Sequence, residues 1–150
     1  MEQTSDNTFS IQVQKDFHHT AEAIFDAWTD IWKLDKWMFG PSVREEEIIH
    51  LTNDLYPGGK FSYKVKRGDQ ELDHIGTYLE IDRPTRLVFS WGVDIDSGDD
   101  SMVSLDIQPT EVGCTLTLTH DMDNKWAPYA DRTKESWTKI LNILDERMPL

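Results

Sequence analysis

Between Asp131 and Met148 the apolar residues Trp137, Ile140, Leu141, Leu144 and Met148 recur at the i, i+3, i+4, i+7 and i+11 spacing that forms one stripe of an α-helix. The remaining positions are largely polar: Arg132, Lys134, Glu135, Lys139, Asn142, Asp145 and Glu146. Such a helix has to lay its stripe against another apolar surface. Upstream, most of the chain from Phe9 to Met122 reads as strand. The expectation is one long helix lying across one antiparallel sheet, with any function in the space between them.

A length of 150 residues suits one domain, and at this size folding buries roughly 70% of the surface of the unfolded chain. No linker divides the chain, and six Trp are spread along it. The formal charge of −13, from 28 acidic against 15 basic residues, repels phosphate backbones and anionic headgroups. No nucleic acid or membrane partner is expected. The longest basic cluster is Lys64, Lys66 and Arg67. A single cysteine, Cys114, excludes an intrachain disulfide and fits a reducing compartment. With no apolar run of membrane or signal-peptide length, a cytoplasmic location follows by elimination.

Residues 1–8 read as a disordered lead and 9–150 as the domain. Phe9, Ile11 and Val13 alternate with polar residues in a half-buried strand that Phe17 ends. Thr20 is placed as the N-cap of a helix carrying Ile24, Phe25, Trp28 and then Ile31 or Trp32. Asp30 to Trp37 reads as a second short helix, stopped by Gly40-Pro41. Six strands follow with turn signals between them: Val43 to Leu51, Lys60 to Arg67, Gln70 to Asp82, Arg86 to Asp94, Met102 to Pro109 and Cys114 to Met122. The acidic stretch Asp94 to Asp100 connects the fourth and fifth of these.

This order of elements resembles the helix-grip arrangement of the START-like, or SRPBCC, superfamily, which includes the birch-pollen-allergen proteins and the polyketide cyclases. Several phrases resemble one branch of it, the family named after activators of the heat-shock protein 90 ATPase (AHSA-type). They are the helical stretch His19-Thr20-Ala21-Glu22-Ala23-Ile24-Phe25-Asp26-Ala27-Trp28, Lys36-Trp37-Met38-Phe39-Gly40-Pro41, Pro57-Gly58-Gly59-Lys60-Phe61, and Gly76 to Ile81 leading into Arg86 to Trp91. The strand Thr115 to His120 and the pair Ser136-Trp137 complete the set. Many relatives have Gly where this chain has Ser136. The resemblance implies an α+β fold: a curved antiparallel sheet of about seven strands, two short helices and a long C-terminal helix across it. In the eukaryotic co-chaperones this domain follows a separate N-terminal one; here seven residues precede the first strand, so a chaperone partner is disfavoured though still open.

A curved sheet closed by a helix leaves a cleft, and a mostly apolar cavity is the default ligand site. By alternation its expected lining is Phe61, Tyr63, Leu87, Phe89, Trp91, Leu116, Leu118 and His120, covered by Trp137, Ile140, Leu141 and Leu144. With the superfamily in view, a real cavity is favoured over a core that these side chains fill completely. His120 shares the parity of Leu116 and Leu118 and should face the helix, where it orients a ligand, acts as acid or base, or, as is commoner, is a hydrogen-bonded core histidine. His74 ranks below it as a ligand contact. On its strand either 72, 74, 76 and 78 or 73, 75, 77, 79 and 81 face inward, and Gly76 on the first set suggests close approach by a Trp or a ligand.

Other patterns fail on spacing. His18 and His19 are adjacent and diverge, so they do not chelate one ion. In Asp94 to Asp100, Gly98 falls at the fifth position of a calcium-loop pattern instead of the sixth, and Leu105 stands where the bidentate Glu belongs. That stretch reads as a solvated hairpin loop. Pro57 to Lys60 is a tight turn, not a phosphate-binding loop. Glu45, Glu46 and Glu47 read as a solvated edge or strand surface. Cys114 has no basic neighbour and reads as a small buried residue. No metal site, cofactor or Ser-His-Asp signature is expected.

The expected function is non-enzymatic binding of a small apolar or aromatic molecule between sheet and helix, by Phe61, Tyr63, His74, Phe89, Trp91, Leu118, His120, Trp137 and Leu141. The alternatives are a cyclase- or hydrolase-like enzyme using His120 with Tyr63 or His74, and a chaperone ATPase cofactor. A homodimer is a further expectation, because strand edges need covering.

Overall fold

The computed structural model describes residues 7–93 and 101–150. Strand β1 (Thr8–Phe17) leads into helices α1 (Ala21–Thr29) and α2 (Ile31–Leu34). The meander β2 (Glu47–Asn53), β3 (Lys60–Arg67), β4 (Gln70–Asp82), β5 (Arg86–Val93), β6 (Ser101–Pro109) and β7 (Cys114–Asp123) follows. A 3-10 turn over Asn124–Tyr129 then runs into α3 (Ala130–Arg147). The seven strands form one sheet in the order β1-β7-β6-β5-β4-β3-β2, antiparallel throughout, with β1 and β2 as its edges. This is the expected helix-grip arrangement. The Asp94 to Asp100 stretch lies outside the described residues, as do residues 1–6 of the expected N-terminal lead; Thr8 already pairs with Asp123.

The local chemistry accounts for the elements. Thr20 Oγ1 accepts from the Ala23 N–H at 3.1 Å and starts α1, and Asp30 Oδ1 accepts from Trp32 N–H at 2.9 Å and starts α2. Helix α1 buries Ile24, Phe25 and Trp28 against the sheet. Helix α2 is shorter than Asp30 to Trp37, and Trp32 is 78% exposed instead of joining the core. Leu34 and Trp37 take the inward positions. The strand expected from Val43 begins only at Glu47, because the chain from Gly40 to Glu46 is occupied by turns.

The concave face of the sheet is apolar by alternation: Phe61, Tyr63 and Val65 on β3, Leu87 and Phe89 on β5, Val103, Leu105 and Ile107 on β6, Leu116 and Leu118 on β7. Trp137, Leu141 and Leu144 of α3 close it. On β4 the inward set is Leu72, His74, Gly76 and Tyr78, after which a bulge between Tyr78 and Glu80 switches parity, so that Ile81 also packs on the core. That switch is why both sets of alternate residues contain apolar members.

Gly76 is where β4 passes over an aromatic ring. A Cβ there would lie 2.0 Å from Ser90 O and 2.4 Å from Phe61 Cζ, so the bulky neighbour is Phe61. Gly76→Ala is therefore expected to destabilise the fold by about 3 kcal/mol, the upper end for overpacking. Urea unfolding measures this, and a loss below about 1 kcal/mol would contradict the packing described.

Candidate functional site

The stripe of α3 that touches the sheet is narrow. Its flank, Ile140 and Ile143, is only half-buried and faces the chain segment after α2. Arg147 sets the spacing there, donating from Nη1 to Lys36 O and from Nη2 to Ser42 O, both at 2.8 Å. Between this flank, Met38 to Arg44 and the ends of β3, β4 and β5 lies an open cleft of about 620 Å³. Its apolar wall includes Phe39, Trp91, Trp137, Ile140 and Ile143, and its polar rim includes Arg44, Arg67, His74, Lys139 and Glu146.

Of the residues expected to hold a ligand, His74, Trp91 and Trp137 meet in this cleft. Phe61, Tyr63 and Phe89 lie beneath it, around a void of only about 10 Å³ that Trp28, Met38, Tyr78 and Trp91 also line. That void is about the size of one water-sized sphere. Leu118, His120 and Leu141 are buried and line neither space. The expected cavity under α3 is filled by side chains there, and the accessible space sits to one side.

The fill is aromatic. Trp28 meets Trp37 edge-on at 4.9 Å, Phe61 stacks on Tyr63 at 4.8 Å, and Trp91 stands 5.9 Å from Trp137. Polar atoms inside this cluster are mostly paired. Tyr63 and Tyr78 share a hydrogen bond at 3.0 Å, and Asn53 Nδ2 donates to the Tyr78 hydroxyl at 3.1 Å and to Thr29 O at 2.8 Å. Burial raises both phenol pKa values, so both stay protonated. The Trp28 indole N–H is buried without an acceptor among the described residues.

Of the two histidines, His74 lines the cleft and His120 does not. Trp137 Nε1–H donates to His120 Nδ1 at 3.0 Å, since an indole N–H can only donate. His120 Nε2 therefore carries the proton and donates to Ser101 Oγ at 2.6 Å, and Ser101 Oγ–H donates to Trp91 O at 2.8 Å. Every hydrogen-bonding atom of the imidazole is consumed, and burial drives its pKa down to about 4 against a smaller opposing pull from Asp121. His120 is a neutral core histidine. His74 instead donates only Nδ1–H, to Tyr63 O at 3.0 Å, and its Nε2 has no protein partner among the described residues. Its ring stands 5.0 Å from Phe39 and 5.5 Å from Trp91, in the wall of the cleft. Burial lowers its pKa, against an opposing contribution from the Tyr63 carbonyl.

Glu46 corrects the reading of Glu45 to Glu47 as a solvated surface. Its side chain is 0% exposed. Oε2 accepts from Gly40 N–H at 2.7 Å and Arg44 Nη1 at 3.1 Å; Oε1 accepts from Arg67 Nε at 3.0 Å and Nη2 at 2.8 Å. Burial works to raise this carboxyl's pKa, but the Gly40 N–H and the two arginines outweigh it and leave the pKa lowered. Gly40 adopts φ of +102°, which lets the turn aim its N–H at the carboxylate. Alternation cannot find Glu46, Arg44 or Phe39, because they sit on irregular backbone; Ile143 had a signal, three residues after Ile140.

Cys114 is buried, and burial followed by Asp16 and Glu22 pushes its thiol up to about 11, which suits an inert core residue. Among the described residues no group of three or more His, Cys, Asp or Glu is placed to hold a metal ion. No helix among them is long and apolar enough to cross a membrane.

No curated protein matches the chain. Solved structures that it resembles include protein CV1439 from Chromobacterium violaceum, at 20% identity and a TM-score of 0.77, over 91% of this chain and 94% of that one. An AHSA1-like protein from Aeromonas hydrophila matches at 22% identity and a TM-score of 0.74, over 93% and 91%. CalU16 from Micromonospora echinospora matches at 23% and 0.69, over 93% and 76%. At these identities the likeness speaks to the fold. Residues 18–148, from the turn after β1 to the end of α3, match the family described as Activator of Hsp90 ATPase homolog 1-like protein, and the chain belongs to that family.

Proposed function

We propose that this protein binds a small apolar or aromatic molecule, without transforming it, in the cleft beside α3. The observation that carries this is the cleft itself: its volume of about 620 Å³ falls in the range of small-molecule sites, and its wall is aromatic. The half-buried Trp91 ring, with the small exposed parts of Trp137 and Phe39, gives the wall apolar surface that a planar molecule can contact. The small void below shares Met38 and Trp91 with the cleft, so modest movement of Met38 would deepen the site toward Trp28, whose indole N–H has no acceptor among the described residues.

Chemistry on the bound molecule is the second reading. It has lost His120, whose nitrogens are both engaged, and rests on His74, which combines a fixed Nδ1–H with a free Nε2 in the cleft wall. The family description names a chaperone ATPase; a role as chaperone cofactor remains the less favoured reading.

Native mass spectrometry of protein purified from its own host tests the proposal. A stoichiometric small molecule is expected to leave on denaturation, and to be recovered chemically unchanged after incubation with fresh protein. Ile140→Glu places a charge in the apolar wall without touching the buried stripe and should abolish binding while leaving the far-UV circular dichroism intact. An empty protein, together with no thermal shift from a panel of aromatic and aliphatic compounds, would sink the reading. A molecule recovered altered by wild type but unaltered by His74→Gln would replace it with the enzymatic one.

A further inference from the structure

The chain carries a formal charge of −13, yet the rim of the cleft gathers Arg44, Arg67 and Lys139 against one exposed carboxylate, Glu146. Two arginines converge on Glu46, whose side chain is fully buried, while their own side chains are 30% and 44% exposed at the mouth. The simplest account is structural: a buried carboxylate needs neutralising and four hydrogen bonds complete it. One guanidinium would be enough for that. The second leaves a surplus positive charge held in place by a rigid partner, which is how binding sites prepare a charge before the ligand arrives.

The donors left over face no acceptor among the described residues. Arg44 commits Nη1 to Met38 O, at 2.7 Å, and to Glu46. Arg67 commits Nε and part of Nη2 to Glu46. The other N–H groups of both guanidinium ions have no acceptor among the described residues, and each guanidinium is a planar fork suited to carboxylate oxygens. Across the opening, Lys139 on α3 has no ion-pair partner among the described residues.

We infer that the cleft selects an apolar, planar molecule carrying one carboxylate, with its charged end between Arg44, Arg67 and Lys139 and its body on Trp91 and Ile140. The inference rests on the ligand-binding reading above and gives that ligand a sign and an orientation. Counted together, Arg44, Arg67 and Lys139 less the carboxylates of Glu46 and Glu146 leave one positive charge at the mouth, the match for a monoanion; a phosphate dianion would exceed it.

Naphthalene-2-carboxylate and its neutral isostere naphthalene-2-carboxamide separate charge from shape. Both are titrated at low salt into the ¹⁵N-labelled protein, following the indole N–H signals of Trp91 and Trp137. The carboxylate is expected to bind about tenfold tighter than the carboxamide, with the advantage shrinking as salt is raised. Arginine variants would strand Glu46, so Lys139→Glu is the informative change: no hydrogen bond or ion pair among the described residues depends on that ammonium. It should weaken the carboxylate about fivefold and leave the carboxamide within about twofold. Equal affinities, or a tighter carboxamide, overturn the charge inference while ligand binding in the cleft stands. A carboxylate advantage unmoved by Lys139→Glu overturns its placement at this mouth. If neither compound moves either indole signal, the inference fails, while the binding reading is decided separately by the native mass spectrometry and the compound panel.

Discussion

Trp37→Ala is expected to lower the unfolding free energy by about 3–5 kcal/mol, the cost of emptying a large aromatic site in a packed core. Trp37 has no exposed surface, lies 4.9 Å edge-on from Trp28, and donates Nε1–H to Ala27 O at 3.0 Å. Removing it takes away the prop behind Trp28, which in turn packs against Trp137 at 6.0 Å and so communicates with α3. A domain of this size typically has about 5–15 kcal/mol to lose, so the variant should be folded but fragile. Trp37→Phe keeps much of the volume and gives up the hydrogen bond, and a smaller loss of about 1–2 kcal/mol is expected. Urea unfolding of both variants checks this through the midpoint at unchanged slope. Equal effects would mean that the hydrogen bond, not the packing, dominates. A loss under about 1 kcal/mol for the alanine variant would mean that the surrounding rings close the gap, contrary to the interlocked arrangement described.

The second large effect is on pH. The His120 pKa is driven from its ordinary 6.5 to about 4 in the folded protein, chiefly by burial. Between those values the unfolded chain binds a proton that the folded one refuses, so stability rises with pH across the window. His120's contribution is complete above about pH 6.5, drains away as pH falls, and levels off below about pH 4. At about 1.4 kcal/mol per pH unit the loss reaches up to about 3 kcal/mol. The geometry gives the reason: a proton on Nδ1 would confront the Trp137 indole N–H, donor against donor.

His74, whose pKa burial also lowers, adds a loss of the same sign from pH 6.5 downward. The lowered carboxyls act later. Asp26, held down mainly by its hydrogen bonds from Arg83, and Glu46 lose their contributions only as pH falls from below their ordinary 3.8 and 4.5. His120→Gln isolates the first effect, since Gln offers one acceptor to Trp137 and one donor to Ser101 but cannot titrate. Unfolding in urea at pH 7, 5.5 and 4 should show wild type losing up to about 3 kcal/mol more than the variant. Parallel pH profiles for the two proteins would rule out His120 as the origin.

The alternation along β3, β5 and β7 correctly put Phe61, Tyr63, Phe89 and Leu118 on the inward face, because a strand's period of two leaves no freedom once one face is buried. The same rule turned His120 toward the helix, where it meets Trp137. It could not say that the two would bond to each other and so remove the histidine from any cleft. On β4 it left two possibilities, because a bulge at Tyr78 to Glu80 changes the period partway. Tyr78, buried and paired to Tyr63, is the residue that ambiguity hid.

What the sequence determined by itself was the architecture: a long stripe of helix, strands with turn residues between them, and the phrases that mark the family. These are local, periodic properties, each decided by residues within a few positions of one another. What only the tertiary structure decided was where empty space remains and which charges border it. Glu46 reads as one of three acidic residues in a row until Arg67, at the end of β3, and Arg44, on a turn, close around it. The width of the cleft depends on Arg147 holding α3 to the carbonyls of Lys36 and Ser42, contacts between parts of the chain more than a hundred residues apart. Periodicity shows which face is buried; the gap left by packing depends on the sizes of side chains brought together from distant positions.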